Sequence, residues 1–398
     1  MSALPFKIAP LLSQAAARDT SIAPWGEEVK RILCVRLDRL GDILMTTPAI
    51  HALRASMPGR HITLLTSSAG AAAAPFLSDV DDVIAYDAPW HGQSGESSRQ
   101  ADLAMQRRLE AGRFDAAAIF TVYSQSALPA AMLCYLAGIP RRLAHCRENP
   151  YGLLTDWVCD TEPHGGIRHE VERQLALVAN VGAVCTDTRM RFDIGRQARD
   201  ALNVRLAAHG VAADSPRFVI HPGASAPSRR YPPARFAAVA VRLAAATPWP
   251  IVLTGSAEEA PLVREVIEAA GTSIRTRLHD LSGLLNIEEF AALIDNTTVL
   301  VTNNSGPVHL ASALMTPVVD LYALTNPQHT PWQTEQRVLF RDVDCRWCYR
   351  GVCPELHHRC LLGVPAEEVA AAALELAAPR IAQASAADTA VTHAPIPS

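Results

Sequence analysis

RILCVRLDRLGDILMTTPAIHAL (31–53) reads as a strand, a glycine turn and a helix in immediate succession. The apolar run RILCVR (31–36) is too short for a helix and ends in a charged loop. Gly41 supplies the tight turn, and a helical run follows through Leu53. The unit recurs. Short apolar runs at HITLLT (61–66), DVIAY (82–86) and AAAIF (116–120), then RFVIH (217–221), PIVLT (250–254), TVLVT (298–302) and PVVDLY (317–322), alternate with longer Ala- and Leu-rich periodic segments. Such alternation predicts an α/β fold of strand-helix units around parallel sheets. A mainly helical stretch, 169–181 and 195–209 with an extended TRMRF between, separates the two series. The chain is therefore expected to form two doubly wound, Rossmann-like domains joined near residue 210, over 29–210 and 211–378. Residues 1–28, with Pro5, Pro10 and Pro24, and residues 379–398, small, polar and proline-broken, are expected to be flexible tails. Sheets of this kind bind ligands beyond the carboxyl ends of their strands, so the cleft between the domains is the expected site.

The composition, with 49% hydrophobic and 19% charged residues in 398, is that of an ordinary globular protein. A formal charge of −4 from 36 basic and 40 acidic residues leaves no basic stripe for a nucleic-acid backbone, and no nucleic-acid partner is expected. Lys7 and Lys30 are the only lysines, so every cation after position 30 is a guanidinium. No run reaches the roughly 18 apolar residues of a spanning helix, and the start lacks a clear cleavage site. A cytoplasmic location is expected.

Four loops carry the chemistry. Asp42 stands at the head of the first helix, where a carboxylate either accepts a proton from an acceptor hydroxyl or caps the helix. In HPGASAPSRRYP (221–232), small residues around Ser225 let backbone amides approach an anion, and Arg229 and Arg230 add charge. The pattern fits phosphate, and equally a surface turn with solvated arginines. TGSAEE (254–259) puts an acid at a strand-to-helix turn, where it binds ribose hydroxyls or complements the helix dipole. The strongest diphosphate cradle is the strand, glycine turn and helix start around Asn304, Ser305, Gly306, Pro307, Val308 and His309. TNPQHTPW (325–332) follows, suited to covering a sugar or base or to packing at a domain edge. Together these loops point to a nucleotide-activated donor on the second domain and acceptor chemistry on the first.

Of nine cysteines, Cys345, Cys348, Cys353 and Cys360 crowd together, interleaved with Arg346, Trp347, His357 and His358. Four thiolates close a tetrahedral site around Zn or Fe with no open position for catalysis. The second C-x2-C of a zinc ribbon is missing, so a structural metal stands beside free thiols and a redox disulfide as readings of the segment 345–360.

The set RLDRLGDILMTTPA (36–49), HPGAS (221–225), RRYPPARFA (229–237), TGSAEE (254–259) and NNSGPVHLA (303–311) resembles the heptosyltransferases of glycosyltransferase family 9, in the family's order and over about residues 30 to 376. The resemblance implies a GT-B fold, two Rossmann-like domains facing across a cleft, and inverting transfer with no cofactor for catalysis. It implies ADP-L-glycero-D-manno-heptose as donor and the lipopolysaccharide inner core as acceptor. Asp42 would be the general base. Arg229 falls where the family usually has a phosphate-binding lysine, Glu258 would hold the ribose, and Ser305 to His309 would cradle the diphosphate. Asn304 departs from the Asp that many members carry, which puts the donor sugar in question. His169 and Glu170 match a region near the acceptor cleft, or simply open a helix. Similar cysteine-rich segments occur in members that modify autotransporter proteins and bind iron. The acceptor is thus a glycolipid or a protein, and a glycolipid implies peripheral association with the inner membrane, for which no polybasic anchor is evident. The alternatives are a transferase of the same fold with another nucleotide sugar or a protein acceptor, and a non-catalytic nucleotide-sugar-binding subunit. An epimerase of this fold would need further acid-base residues beside the diphosphate loop, and no clear set is present.

Overall fold

The computed structural model describes residues 22–91 and 98–392, with side chains to residue 383. Two parallel six-stranded sheets organise the chain. The first contains β1 (Arg31–Arg36), β2 (His61–Thr66), β3 (Asp82–Ala85), β4 (Ala116–Ile119), β5 (Arg141–Cys146) and β6 (Asp156–Cys159), in the order β3-β2-β1-β4-β5-β6. The second contains β7 (Phe218–His221), β8 (Ile251–Leu253), β9 (Leu278–Asp280), β10 (Val299–Asn303), β11 (Val318–Leu321) and β12 (Gln336–Leu339), in the order β12-β11-β10-β7-β8-β9. Read from the opposite edge, the second order repeats the first. Each sheet therefore reverses direction at one place, between β1 and β4 and between β7 and β10, and there leaves a crevice beyond the strand ends.

Central strands are apolar on both faces, as a sheet covered by helices requires. Phe218, Ile220, Ile251, Val299 and Val319 join Phe236, Val239 and Leu243 of the helix Pro233–Ala246 in one core. Leu33, Val35, Ala117 and Ile119 join Leu109 and Leu133 in the other. Each fully buried Leu, Ile or Phe contributes roughly 1.5–3 kcal/mol.

The chain divides into two compact units. The first holds the described residues up to Asp38, with Thr46–Ala71 and Asp79–Thr188; the second holds Arg39–Met45, Ala72–Ser78 and the described residues from Arg189 onward. The junction thus lies before the expected one near residue 210. The helix Arg196–Ala208 is tied to the second unit, where Arg205 meets Glu289 at 2.9 Å and Arg199 pairs with Asp295. The expected tails are also shorter. Trp25 is buried, its amide donates to the Val181 carbonyl at 2.9 Å, and its carbonyl accepts from Arg60 at 2.6 Å. The last helix, Ala366–Thr392, runs through Pro379 and past residue 378, carried by a sequence rich in alanine. Residues 1–21 and 393–398 lie outside the described residues. Among those described, no helix is long and apolar enough to cross a membrane.

Candidate active site

In the second unit the crevice between β7 and β10 is built from short residues and backbone. Asn303 ends β10 fully buried, and its Nδ2 donates to the Pro222 carbonyl at 2.7 Å while its Oδ1 accepts from the Tyr231 amide at 2.9 Å. One side chain thereby fixes both ends of the loop 222–231. Arg230 holds that loop from outside, its Nε donating to the Ala224 carbonyl at 2.8 Å. Tyr231, packed edge-on against Phe236, donates its hydroxyl to the Val364 carbonyl at 2.7 Å. Ser225 lies exposed on the loop. Arg229 is half-buried, and its buried Nε meets no hydrogen-bond partner among the described residues. A buried guanidinium N–H left over in this way is suited to an anionic ligand.

Glu258 and Glu259 separate into two environments. Glu258 is exposed, its carboxyl held below the usual carboxylate range by the Ser256 hydroxyl and its own backbone amide. Glu259 turns inward. Its Oε2 accepts from the Ser256 amide at 2.9 Å and lies 3.7 Å from His221 Nε2. A Cβ on Gly223 would sit 2.2 Å from the Glu259 carboxylate, so only glycine allows that approach. Burial pushes His221 below the ordinary imidazole range, and the Glu259 charge opposes that shift.

Ser305 precedes the helix Gly306–Ala313 in extended conformation, and Pro307 carries no N–H. The first amides of such a helix have no intrahelical acceptor; here Val308 turns its own back to the Ser305 carbonyl at 3.0 Å. Asn304 is buried, and its Nδ2 donates to Asp320 Oδ2 at 2.9 Å and to the His329 carbonyl at 2.8 Å. Asp320 pairs in register with Thr302 on the neighbouring strand. Burial pushes its fully buried carboxyl up to about 8, against the Asn304 amide, which lowers it. An Asp at 304 could not donate either bond and would set two carboxyls together in the core. The amide at 304 is therefore matched to Asp320.

Asp42 lies in the first turn of the helix Leu40–Ala55. Its Oδ1 is 3.9 Å from His329 Nε2, both side chains being largely buried. The preceding Gly41 has the His309 ring against it, where a Cβ would come within 2.6 Å of Cδ2. Thus Asp42, Asn304, Asp320, His309 and His329 form one cluster, all within the second unit. Sequence reading found Asp42, Asn304 and His309 in it. It missed Asp320, hidden in an apolar strand run, and named Glu258 without Glu259, the acid that the structure sets against Gly223.

The corresponding crevice of the first unit is filled by charge. Arg36 Nε lies 2.8 Å from Asp38 Oδ2, and its Nη1 donates to Glu170 Oε1 at 2.8 Å with both side chains fully buried. Gln125 donates to Asp38 Oδ1 at 2.7 Å, and His91 Nε2 lies 3.3 Å from the same oxygen. His169 caps the helix Glu170–Ala179, its Nδ1 accepting from the Val171 amide at 3.1 Å. His169 thus opens the helix as its cap, whereas Glu170 is committed to the buried pair with Arg36.

The cysteine segment corrects an expectation. Among the described residues no group of three or more His, Cys, Asp or Glu side chains could hold a metal ion, so Cys345, Cys348, Cys353 and Cys360 do not form the expected Zn or Fe site. All four are free thiols, and Cys345 Sγ lies 3.7 Å from His357 Nε2. The chain between β12 and the last helix is instead laid over the loops that follow β7 and β11. The Trp347 and Tyr349 amides donate to the Leu324 and Thr325 carbonyls at 2.8 Å, and Ser228 donates to the Gly351 and Arg350 carbonyls at 3.1 and 2.7 Å. Those anchors set the path of the segment. Trp347, Tyr349, Leu356 and His358 take left-handed φ values along it.

Known proteins match this arrangement. Lipopolysaccharide heptosyltransferase 2 of Escherichia coli K12 is 27% identical over 353 residues, covering 85% of this chain and 96% of that protein. The crystal structure of a family 9 glycosyl transferase from Veillonella parvula superposes with a TM-score of 0.75 at 23% identity, covering 89% of this chain and 99% of the other. That of the E. coli ADP-heptose lipopolysaccharide heptosyltransferase II does so with a TM-score of 0.68 at 22% identity, covering 88% and 99%. The fold is accordingly GT-B, two Rossmann-like units each with its own parallel sheet. Residues 103–358 match the family described as Glycosyltransferase family 9 (heptosyltransferase), and the chain, a glycosyltransferase, belongs to that family.

Proposed function

We propose that this protein moves a heptose from ADP-L-glycero-D-manno-heptose to a hydroxyl of the lipopolysaccharide inner core, with inversion at the anomeric carbon. The observation that carries this reading is the Asp42 carboxylate at a helix head, 3.9 Å from a histidine whose carbonyl is held by Asn304 of the diphosphate loop. Asp42 takes the proton of the acceptor hydroxyl as its oxygen bonds to the anomeric carbon, and the bond to the diphosphate breaks with its electron pair on the departing ADP. The helix amides beyond Ser305 and the Arg229 guanidinium stabilise that charge, so no acid is needed on the leaving group. Ser225, Arg230 and the loop from Asn304 to His309 form the walls of the donor site. Either Glu258, exposed, or Glu259, beside Gly223, holds the ribose.

The test is thermal shift with ADP-heptose, ADP-glucose, UDP-GlcNAc and GDP-mannose, together with turnover. ADP-heptose alone is expected to stabilise the protein, and Asp42→Ala to keep that stabilisation while losing turnover. Comparing Glu258→Ala with Glu259→Ala assigns the ribose ligand. Stabilisation by a different nucleotide sugar alone refutes the donor, and equal turnover in Asp42→Ala refutes the base.

A further inference from the structure

His329 is held at three points and directed at a fourth. Asn304 Nδ2 donates to its backbone carbonyl at 2.8 Å. Asn326 Nδ2 lies 3.0 Å from its Nδ1, and the carbonyl of Asn326 accepts from the Tyr322 hydroxyl. The His309 ring stands edge-on to it, with centroids 6.2 Å apart, and the same His309 ring packs on Gly41 next to Asp42. An amide donating to Nδ1 leaves the ring proton on Nε2, the nitrogen 3.9 Å from Asp42 Oδ1.

We propose that His329 is a positioning residue for sugar transfer: from the 325–332 loop its Nε2–H engages one oxygen of Asp42 and so orients the carboxylate toward the acceptor hydroxyl. This rests on the reading of Asp42 as the base. The proton of the acceptor goes to Asp42, the acceptor oxygen bonds to the anomeric carbon, and ADP leaves with the electron pair; His329 keeps its proton throughout. At 3.9 Å the contact is longer than a hydrogen bond, as catalytic contacts commonly are before substrate binds. Because Asn304 holds the His329 carbonyl, the loop that cradles diphosphate also sets the base.

The experiment compares wild type, Asp42→Ala, His329→Leu and His329→Gln as full chains. It reads ADP release from ADP-heptose, ADP affinity by calorimetry, and thermal unfolding. His329→Leu is expected to lower kcat by about 10- to 100-fold while donor KM and ADP affinity stay within about twofold, and His329→Gln, which keeps an N–H donor, to restore most of it. Unchanged kcat in His329→Leu overturns the proposal. So do equal losses in the Leu and Gln variants accompanied by weakened ADP binding, which mean a structural role in the loop. If Asp42→Ala loses turnover and His329→Leu does not, this inference alone fails; if Asp42→Ala keeps turnover, the base reading fails with it.

Discussion

The two units trace the same strand order, yet they fill the crevice at the reversal of that order in opposite ways. Between β1 and β4 the first unit closes it with long side chains, Arg36 joining Asp38 and Glu170 in a buried ion-pair set. Between β7 and β10 the second unit closes it with Asn303 and leaves glycine, backbone amides and the Nε of Arg229 facing the crevice loops. One topology thus yields a cross-linked end and an open one. The difference lies in the residues just after the strands and not in the sheet, which is why fold alone does not give function.

The largest expected effect tests the cross-linked end. Arg36→Ala strands two buried carboxylates, Asp38 and Glu170, and should cost about 3–5 kcal/mol in denaturant unfolding. Arg229→Ala at the open end should change stability by no more than about 0.5 kcal/mol and weaken ADP binding about tenfold or more by calorimetry. Equal stability losses for the two would end the contrast. Asn304→Asp should cost roughly 3 kcal/mol by placing a carboxylate against Asp320 in the core, and adding Asp320→Asn should recover the part due to the facing carboxyls but not the lost bond to the His329 carbonyl.

A pH series sharpens the same point. Asp320, with its pKa raised to about 8, stabilises the fold through its bound proton. That contribution is fully present below its ordinary value of 3.8 and is lost as pH rises through about 8. Asp320→Asn has no such loss, so its Tm should rise relative to wild type as the pH is taken from about 5 to about 9. The smallest effect is expected in the segment over the loops that follow β7 and β11. Leu356 is 80% exposed at φ 55°, and Leu356→Gly should stabilise by about 0.5 kcal/mol in the same unfolding assay.

Strands with an apolar centre and polar residues mainly at their ends were legible, and RILCVR and HITLLT match β1 and β2 residue for residue. β5 was not, because RRLAHC carries Arg141, Arg142 and His145; Arg142 buries its guanidinium on the Ile139, Leu153 and Gly152 carbonyls, an arrangement no periodicity announces. β6, β9 and β12 are short strands with polar residues, below what a run of apolar residues can signal. At the site, Asp42 and the 303–309 loop were legible because glycine, a small residue and a helix start fall together. Asp320 was hidden because its partner, Asn304, is sixteen residues away, just past the end of the neighbouring strand. The cysteine crowding shows the limit of spacing: burial first, and then the neighbouring thiols, Cys353 and Cys348 for Cys345 and Cys353 for Cys360, push these thiols up, yet among the described residues no three His, Cys, Asp or Glu side chains are arranged to hold a metal.

The membership of Arg39–Met45 in the second unit also bears on synthesis. The first sheet has all its strands once residue 159 has left the ribosome, whereas β7 finds its neighbour β10 only after residue 303. The turn bearing Asp42 is among the first parts of the chain made, and its neighbours His309 and His329 are among the last. A nascent chain therefore carries its proposed base for most of its synthesis without the residues that surround it, and a product that stops before residue 303 has every strand of the first sheet and none of the neighbours of Asp42 that come from the second.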